Sequence, residues 1–543
     1  MRVHVRHRGA RHCPGARAGR GGATFLRRLA RSGSCTVVAM VFGAKGRGGP
    51  GTAALVLVLA PACASGVGLD DDSGATQVVV STGGTSVPPP DTSGGTTDPT
   101  ATSGVVDETT TTGLPTTGDE GTTDASSSGG DEDSTTGEAL PHPERYPFDR
   151  VHSPISMYVA DEMRAIAAAV DADPAVFAKV GGTISSTLNF LQCFAVDAAI
   201  QDLPLEPSLM ATIAHFRAVD LGGVTAWNRP SKATVPAATS DALLTGMPPP
   251  IATEVGEIKP RFAHVLIGTH DLDKAQPEAL WQFADNLADA VDGMIGAGVV
   301  PIVSTLPRRT DKPETDALLP RYNAVVRAVA QGRQIPLLDL NLAISQLPMS
   351  GLGADGMDLS VFVSADVDRP CHFSEAALKF GYNTANLEAL RALDRARQVV
   401  VDQTPFIDPP GPGLVGDGSP DDPIRVPSLP FVDLRSTTDS PSDAIDSYAG
   451  ACDKTKDESG PERLYRLDIV EPVAIRVMVF DRGMVDVDVH VLSDATPGTC
   501  IKRDDRVVTG PLPEGTYYIA IDSFGGVVPG GASGEYMLVV LAD

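Results

Sequence analysis

The chain has 543 residues, too many for one compact core, so it is expected to divide into two or more folded units with linkers. Its net charge of -26 is unevenly spread: residues 1–50 hold ten Arg and one Lys with no acidic residue, which leaves about -37 on the remainder. So acidic a body argues against nucleic acid as a partner.

The basic head belongs to export. Thr52 to Ala62 is a short apolar run with Lys45 and Arg47 before it, small residues at its exit, and Asp70, Asp71 and Asp72 beyond. It is too short to span a bilayer and reads as a secretory signal. Leu59-Ala-Pro-Ala-Cys63 resembles a lipoprotein cleavage box, with Leu59 one place further from the cysteine than usual. That resemblance implies lipidation of Cys63 and a membrane anchor; ordinary cleavage nearby is the alternative. Translation from Met40 would give the signal an ordinary length. Residues 1–63 are therefore assigned to head and signal, and the protein to the outer membrane, the cell surface or the medium.

Residues 64–145 are dominated by Ser, Thr, Gly, Asp and Pro and lack the apolar periodicity needed to offset ordering entropy, so a disordered acidic spacer is expected. From Tyr146 the pattern changes. Val159–Val170, Leu280–Ala297, Tyr322–Ala330 and Ala385–Val400 have helical spacing, and Val176–Val180, Phe262–Gly268, Val299–Ser304 and Pro336–Leu340 read as buried strands between them. The alternation predicts, over 146–400, an α/β fold with three layers, α/β/α, around a parallel sheet whose sites form beyond the carboxyl ends of the strands.

Residues 401–430 are rich in Pro, Gly and Asp and read as a second linker. Residues 431–543 hold short runs at Leu464–Val470, Ala474–Phe480, Val485–Leu492, Gly515–Asp522 and Glu535–Leu541, which predict a small all-β sandwich. Asp486, Asp488 and His490 share one face of a strand, either solvated or able to bind a cation. With Cys13 and Cys35 in the head, four cysteines remain beyond Cys63, and an oxidising compartment predicts Cys193–Cys371 and Cys452–Cys500 as disulfides. No Cys-x-x-Cys or paired His spacing supports zinc, and no cofactor is expected.

Three segments carry the chemistry: Lys179-Val-Gly-Gly-Thr-Ile-Ser-Ser186, Ile267-Gly-Thr-His-Asp-Leu272 and Ala354-Asp-Gly-Met-Asp-Leu359. Asn189-Phe-Leu-Gln-Cys193 follows the first, and Cys371-His-Phe-Ser374 and Phe380-Gly-Tyr-Asn-Thr-Ala-Asn-Leu387 follow the last. In this order they resemble the blocks of the SGNH (GDSL-type) hydrolases, over about residues 146–400. The sandwich resembles pre-peptidase C-terminal-like domains through Arg466-Leu-Asp468, Asp486-Val-Asp-Val-His490 and Gly515-Thr-Tyr-Tyr-Ile519.

The first resemblance implies an ester hydrolase, with an acylated glycan as one substrate class, but the working positions are exchanged. Thr183 stands at the nucleophile position, after Gly182 in place of Asp. It keeps a hydroxyl, and its methyl restricts the approach. His270 stands where the family has an Asn that donates to the oxyanion; Gly222 or Gly223 are the candidate glycine donors. Asp358 stands at the general base, where a carboxylate is weak toward a hydroxyl, and Asp355, which should orient that base, faces a like charge. His372 follows a different motif.

Three readings follow. The substitutions favour a secreted, lipid-anchored module of hydrolase shape that has lost catalysis and acts in binding or structure. The alternative is an active esterase rebuilt on Thr183 with His270 as base. The third gathers His270, Asp271, Asp273, Asp355 and Asp358 around a divalent metal, against a plain acidic rim.

Overall fold

The computed structural model describes residues 143–274, 278–525 and 532–543. The export signal, Cys63 and the spacer up to residue 142 lie outside the described residues. Four strands, β1 (Asp173–Gly181), β2 (Pro260–Leu266), β3 (Val300–Ser304) and β4 (Leu337–Leu338), pair in parallel in that order. Every residue of β2 and β3 is buried, on both faces of the pleat, as a parallel sheet covered by helices requires.

The helices are α1 (Met157–Ala169), α2 (Thr183–Ser186), α3 (Pro207–His215), α4 (Ser240–Leu244), α5 (Pro250–Ile258), α6 (Glu278–Gly296), α7 (Pro313–Asp316), α8 (Leu319–Gly332), α9 (Leu340–Ser345) and α10 (Gly381–Val400). The long ones match the periodic runs; the short ones were not legible, since one turn of helix carries no period. Helix α10 packs against α1, α3 and α9, while α6 and α8 pack against each other and on β3. This is the three-layer α/β fold expected. A hairpin of β5 (Val363–Ser364) and β6 (Val367–Asp368) lies before α10.

The C-terminal region is a sandwich of two sheets built from β7 (Ile424–Val426), β8 (Phe431–Ser436), β9 (Glu462–Ile469), β10 (Val473–Asp481), β11 (Val487–Leu492), β12 (Cys500–Asp504), β13 (Val507–Leu512), β14 (Gly515–Ser523) and β15 (Glu535–Ala542). One sheet runs β13-β10-β15-β8 and the other β12-β11-β14-β9-β7; all pairs are antiparallel except β7 with β9. Val477, Val479, Leu538 and Val540 point into the sandwich core, whereas Met478, Phe480, Met537, Val539 and Leu541 join the core of the α/β domain. That sheet is therefore buried on both faces. This explains why Ala474–Phe480 and Glu535–Leu541 alternate only in part, with apolar residues on both faces.

Helices α6 and α8 receive this sheet. Trp281 stacks on Phe480 at 5.0 Å between ring centroids, and its Nε1–H donates to the Val479 carbonyl at 2.8 Å. A Cβ at Gly332 would lie 2.5 Å from that of Leu434, so only glycine lets the strand approach α8 here. Arg333 is shared by Asp292 and Glu535, and Arg482 reaches the same two carboxylates. Residues 401–430 run back along the α/β domain, with Asp408 accepting from Arg395 and from the Ile155 amide. Both disulfides, Cys193–Cys371 and Cys452–Cys500, are formed.

Candidate functional site

Strand β1 delivers its carboxyl end into a glycine turn. A Cβ at Gly181 would sit 2.1 Å from the Leu266 carbonyl oxygen, so the turn can press against the end of β2 only with glycine there. Thr183 follows at the start of α2, partly buried. Its Oγ1 lies 3.2 Å from His270 Nε2 and accepts the Ala237 N–H at 3.0 Å.

His270 follows β2 and begins the turn Asp271–Asp273, which brings Asp273 Oδ2 to 3.3 Å from His270 Nδ1. These partners assign the tautomer: Nδ1–H donates to Asp273, and Nε2 keeps a lone pair for the Thr183 hydroxyl. Asp273 also accepts from Lys312 Nζ at 2.7 Å and from Arg309 Nη2 at 3.2 Å. Burial works to raise its pKa, but those two cations together hold it below the usual carboxylate range. Asp273 is thus ionised and fixed, at the cost of sharing its charge.

The Gly222 and Gly223 candidates are corrected by the structure. Both lie in an exposed turn, and the Gly223 amide donates to Asp220 at 2.6 Å. The amide beside the nucleophile position is that of Ala237. Segment 233–235 pairs with Gly181, through Gly181 N–H to Ala233 and Val235 N–H to Gly181, and a turn closed by Ala238 N–H to Val235 carries Ala237 at φ 57°. Pro236 in the second place of that turn was the available signal. Asp271 stabilises this arrangement from below: buried, it accepts from the Ser240 amide at 2.8 Å and hydroxyl at 2.7 Å.

Asp355 is engaged in another task than orienting a base. Asp355 Oδ1 accepts the Met357 and Asp358 amides, each at 3.1 Å, and so closes its own turn. Burial and then the Asp355 charge push Asp358 upward, while His270 and Arg309 pull it back. Asp358 therefore stands within the field of His270. His372 is paired with Asp202 Oδ2 at 2.8 Å, outside this constellation.

The five-residue metal reading is also corrected. Asp271 is spent on Ser240, Asp273 on Arg309 and Lys312, and Asp355 on its turn, so these carboxylates have cationic or amide partners already. A cavity of about 490 Å³ lies elsewhere, lined by Phe148, Leu319, Arg327, Asp339, Leu429 and Leu541 where the sandwich meets the α/β domain.

Residues 206–379 match the GDSL-like lipase/acylhydrolase family model. The central domain resembles those hydrolases. The match takes in His270, Asp355 and Asp358 and begins after Thr183. Among solved structures, the lipase/acylhydrolase from Enterococcus faecalis is 19% identical, covering 40% of this chain and 94% of its own, with a TM-score of 0.27. An acetylxylan esterase from Geobacillus stearothermophilus is 16% identical over 40% of this chain and 93% of its own, with a TM-score of 0.26. The pre-peptidase C-terminal domain of a Bacillus anthracis collagenase is 12% identical over 21% of this chain and 91% of its own, with a TM-score of 0.15. No curated protein matches the chain.

Proposed function

We propose that the central domain is a slow acyl-ester hydrolase whose centre is Thr183, His270 and Asp273. The observation that carries this is the relay from Thr183 Oγ1 to His270 Nε2 at 3.2 Å and from His270 Nδ1 to Asp273 Oδ2 at 3.3 Å. A hydroxyl, a base and an orienting carboxylate in that sequence are the parts that nucleophilic acyl transfer needs.

Attack by Thr183 Oγ1 on the ester carbonyl passes the hydroxyl proton to His270 Nε2. The oxyanion is met by the Ala237 N–H, which now faces Oγ1. Collapse breaks the ester C–O bond, and the alcohol leaves with the proton from His270. Water, deprotonated by the same nitrogen, then attacks the acyl carbon; the bond to Oγ1 breaks, His270 returns the proton to Oγ1, and the acid leaves. The rate is held down by the threonine methyl, by the division of Asp273 among three partners, and by the Asp358 charge near a developing anion.

The substrate class is an ester, with acylated glycans the class that the family resemblance implies. The protein is further read as exported, which the two disulfides support, since such bonds persist in oxidising compartments, and as anchored through Cys63 on the strength of the cleavage-box resemblance alone. An inert acyl-binding module is the second reading, favoured by the carboxylate at Asp358.

The test is hydrolysis of p-nitrophenyl acetate by the full chain, with mass spectrometry for an acyl group on Thr183. Thr183→Ala and His270→Ala should both fall to background, and Asp358→Asn should keep or raise turnover. Undiminished turnover in Thr183→Ala would overturn the assignment. A native chain that neither turns over nor acylates supports the inert module instead.

A further inference from the structure

Away from the hydrolase centre, the sandwich buries a cluster whose polar atoms lack partners. Asp488 and His490 lie two residues apart on one face of β11, and Glu458 arrives from the loop before β9; all three are buried. One ligand atom from each lies within 4.8 Å of the others. Neither carboxylate oxygen of Glu458 has a hydrogen bond, nor has either ring nitrogen of His490, although each side chain is only 1% exposed. Glu458 Oε1 lies 3.7 Å from His490 Nε2 and 3.4 Å from Arg503 Nε, with the Asp488 carboxylate beside it.

The sequence grouped Asp486 with Asp488 and His490. The structure leaves Asp486 exposed and puts Glu458 in its place. The surroundings add more anion than cation: Asp522, opposite Asp488 on β14, is buried with Oδ1 unpartnered, and Arg503 is the cation set directly against the cluster, pairing with Asp488. Leaving a buried carboxylate and an imidazole without a hydrogen bond is costly, and native proteins avoid it unless something occupies the space between them.

We propose that Glu458, Asp488 and His490 bind a divalent transition-metal ion of the zinc type, a structural site within the sandwich. The imidazole decides the class, because calcium and magnesium prefer all-oxygen shells while zinc takes nitrogen with carboxylates. Ligands about 2.0–2.1 Å from a tetrahedral ion stand roughly 3.3–3.5 Å apart, so Glu458 and His490 at 3.7 Å already stand near that spacing, and no pair of the three exceeds 4.8 Å. Tyr448 holds the ring for this: it stacks on His490 at 3.7 Å and anchors its hydroxyl on Asp522 at 2.6 Å. His490 also lies near Cys452 and Cys500, but those sulfurs are bonded to each other and offer no thiolate.

The experiment uses the oxidised full chain, stripped with a chelator and titrated with zinc chloride by calorimetry. A bound ratio near one, a rise in melting temperature on adding zinc, and a loss of affinity of about a hundredfold or more in Glu458→Gln and Asp488→Asn are expected. Circular dichroism checks that the variants fold. Cobalt(II) added to the native chain reads the site without any substitution, through the intense visible bands of four-coordinate cobalt. No zinc uptake by the native chain, or uptake unchanged in folded Glu458→Gln, overturns the proposal. So does calcium binding that His490→Gln leaves intact.

Discussion

Trp281→Ala tests whether the sandwich and the α/β domain form one cooperative structure. The indole is partly buried, stacked on Phe480 and bonded to the Val479 carbonyl, with the Arg506 guanidinium 5.5 Å above its ring. Complete burial of such a ring is worth about 3–5 kcal/mol on truncation; partial exposure reduces that to about 2. The hydrogen bond adds about 1 and the stacking up to about another 1, for a loss of about 2–4 kcal/mol. The chain has two tryptophans, so the variant leaves Trp227, fully buried beside Phe177 and Phe194, as the sole fluorescent reporter of the α/β domain. Urea titration followed by Trp227 fluorescence and by far-UV circular dichroism should show both signals moving to lower denaturant together. Trp281→Phe, which keeps the stack and loses the bond, should cost about 1 kcal/mol. A loss below about 0.5 kcal/mol for Trp281→Ala, the level of a surface change, would refute the joint.

Two further outcomes follow from buried ionisable groups. Burial, aided by the Lys179 charge on the neighbouring strand, depresses His264 to about 4; its Nε2 meets only the Ser304 hydroxyl and its ring lies against Phe190. The unfolded chain takes that proton near pH 6.5 and the folded one not until about 4, so stability present above pH 6.5 is lost as pH falls between those values, by up to about 3 kcal/mol. Subtracting the stability profile of His264→Gln from that of the native chain should isolate this slope; parallel profiles would refute it. Arg327 and Asp339 form a buried pair, their side chains 4% and 7% exposed. Asp339→Asn takes the charge from this pair and should cost about 3 kcal/mol or more in denaturation, while Arg327→Met with Asp339→Leu should recover only part of it, since Asp339 also accepts from the Thr305 hydroxyl and the Leu342 amide.

What was legible in the sequence follows the strength of each physical signal. The parallel strands and long helices were visible because burial on both faces and helical period leave marks over many residues. Thr183 and His270 were visible because glycines precede both at the ends of β1 and β2. Asp273 was not singled out as the partner of His270, since an acidic residue three places on is common on any turn, and only the turn Asp271–Asp273 brings it round. Gly222 and Gly223 drew attention for their type alone, whereas the amide beside Thr183 belongs to Ala237, an alanine in a left-handed position that no composition rule would choose. The alternation at Asp486, Asp488 and His490 gave the right strand face at its latter two members; Glu458 comes from thirty residues earlier and could be placed only by the fold.

The join between the domains bears on the chemistry as well as on stability. Helix α6 begins at Glu278, a few residues after the His270–Asp273 turn, and Trp281 in its first turn is held by Val479 and Phe480 of the sandwich. The sheet that holds it presents Met478, Phe480, Met537, Val539 and Leu541 to the α/β core, so a chain ending at Val400 would expose the faces of α6 and α8 that this sheet covers. Such a chain loses apolar cover and the Arg333–Glu535 contact at once. The turn carrying His270 would then hang from a helix whose anchor is gone, and a relay that depends on 3.2 and 3.3 Å contacts loses its geometry before any residue in it is changed. The sandwich is on this reasoning a structural support of the Thr183–His270–Asp273 constellation, and a fragment without activity would report the missing strands β10 and β15 before it reported on Thr183.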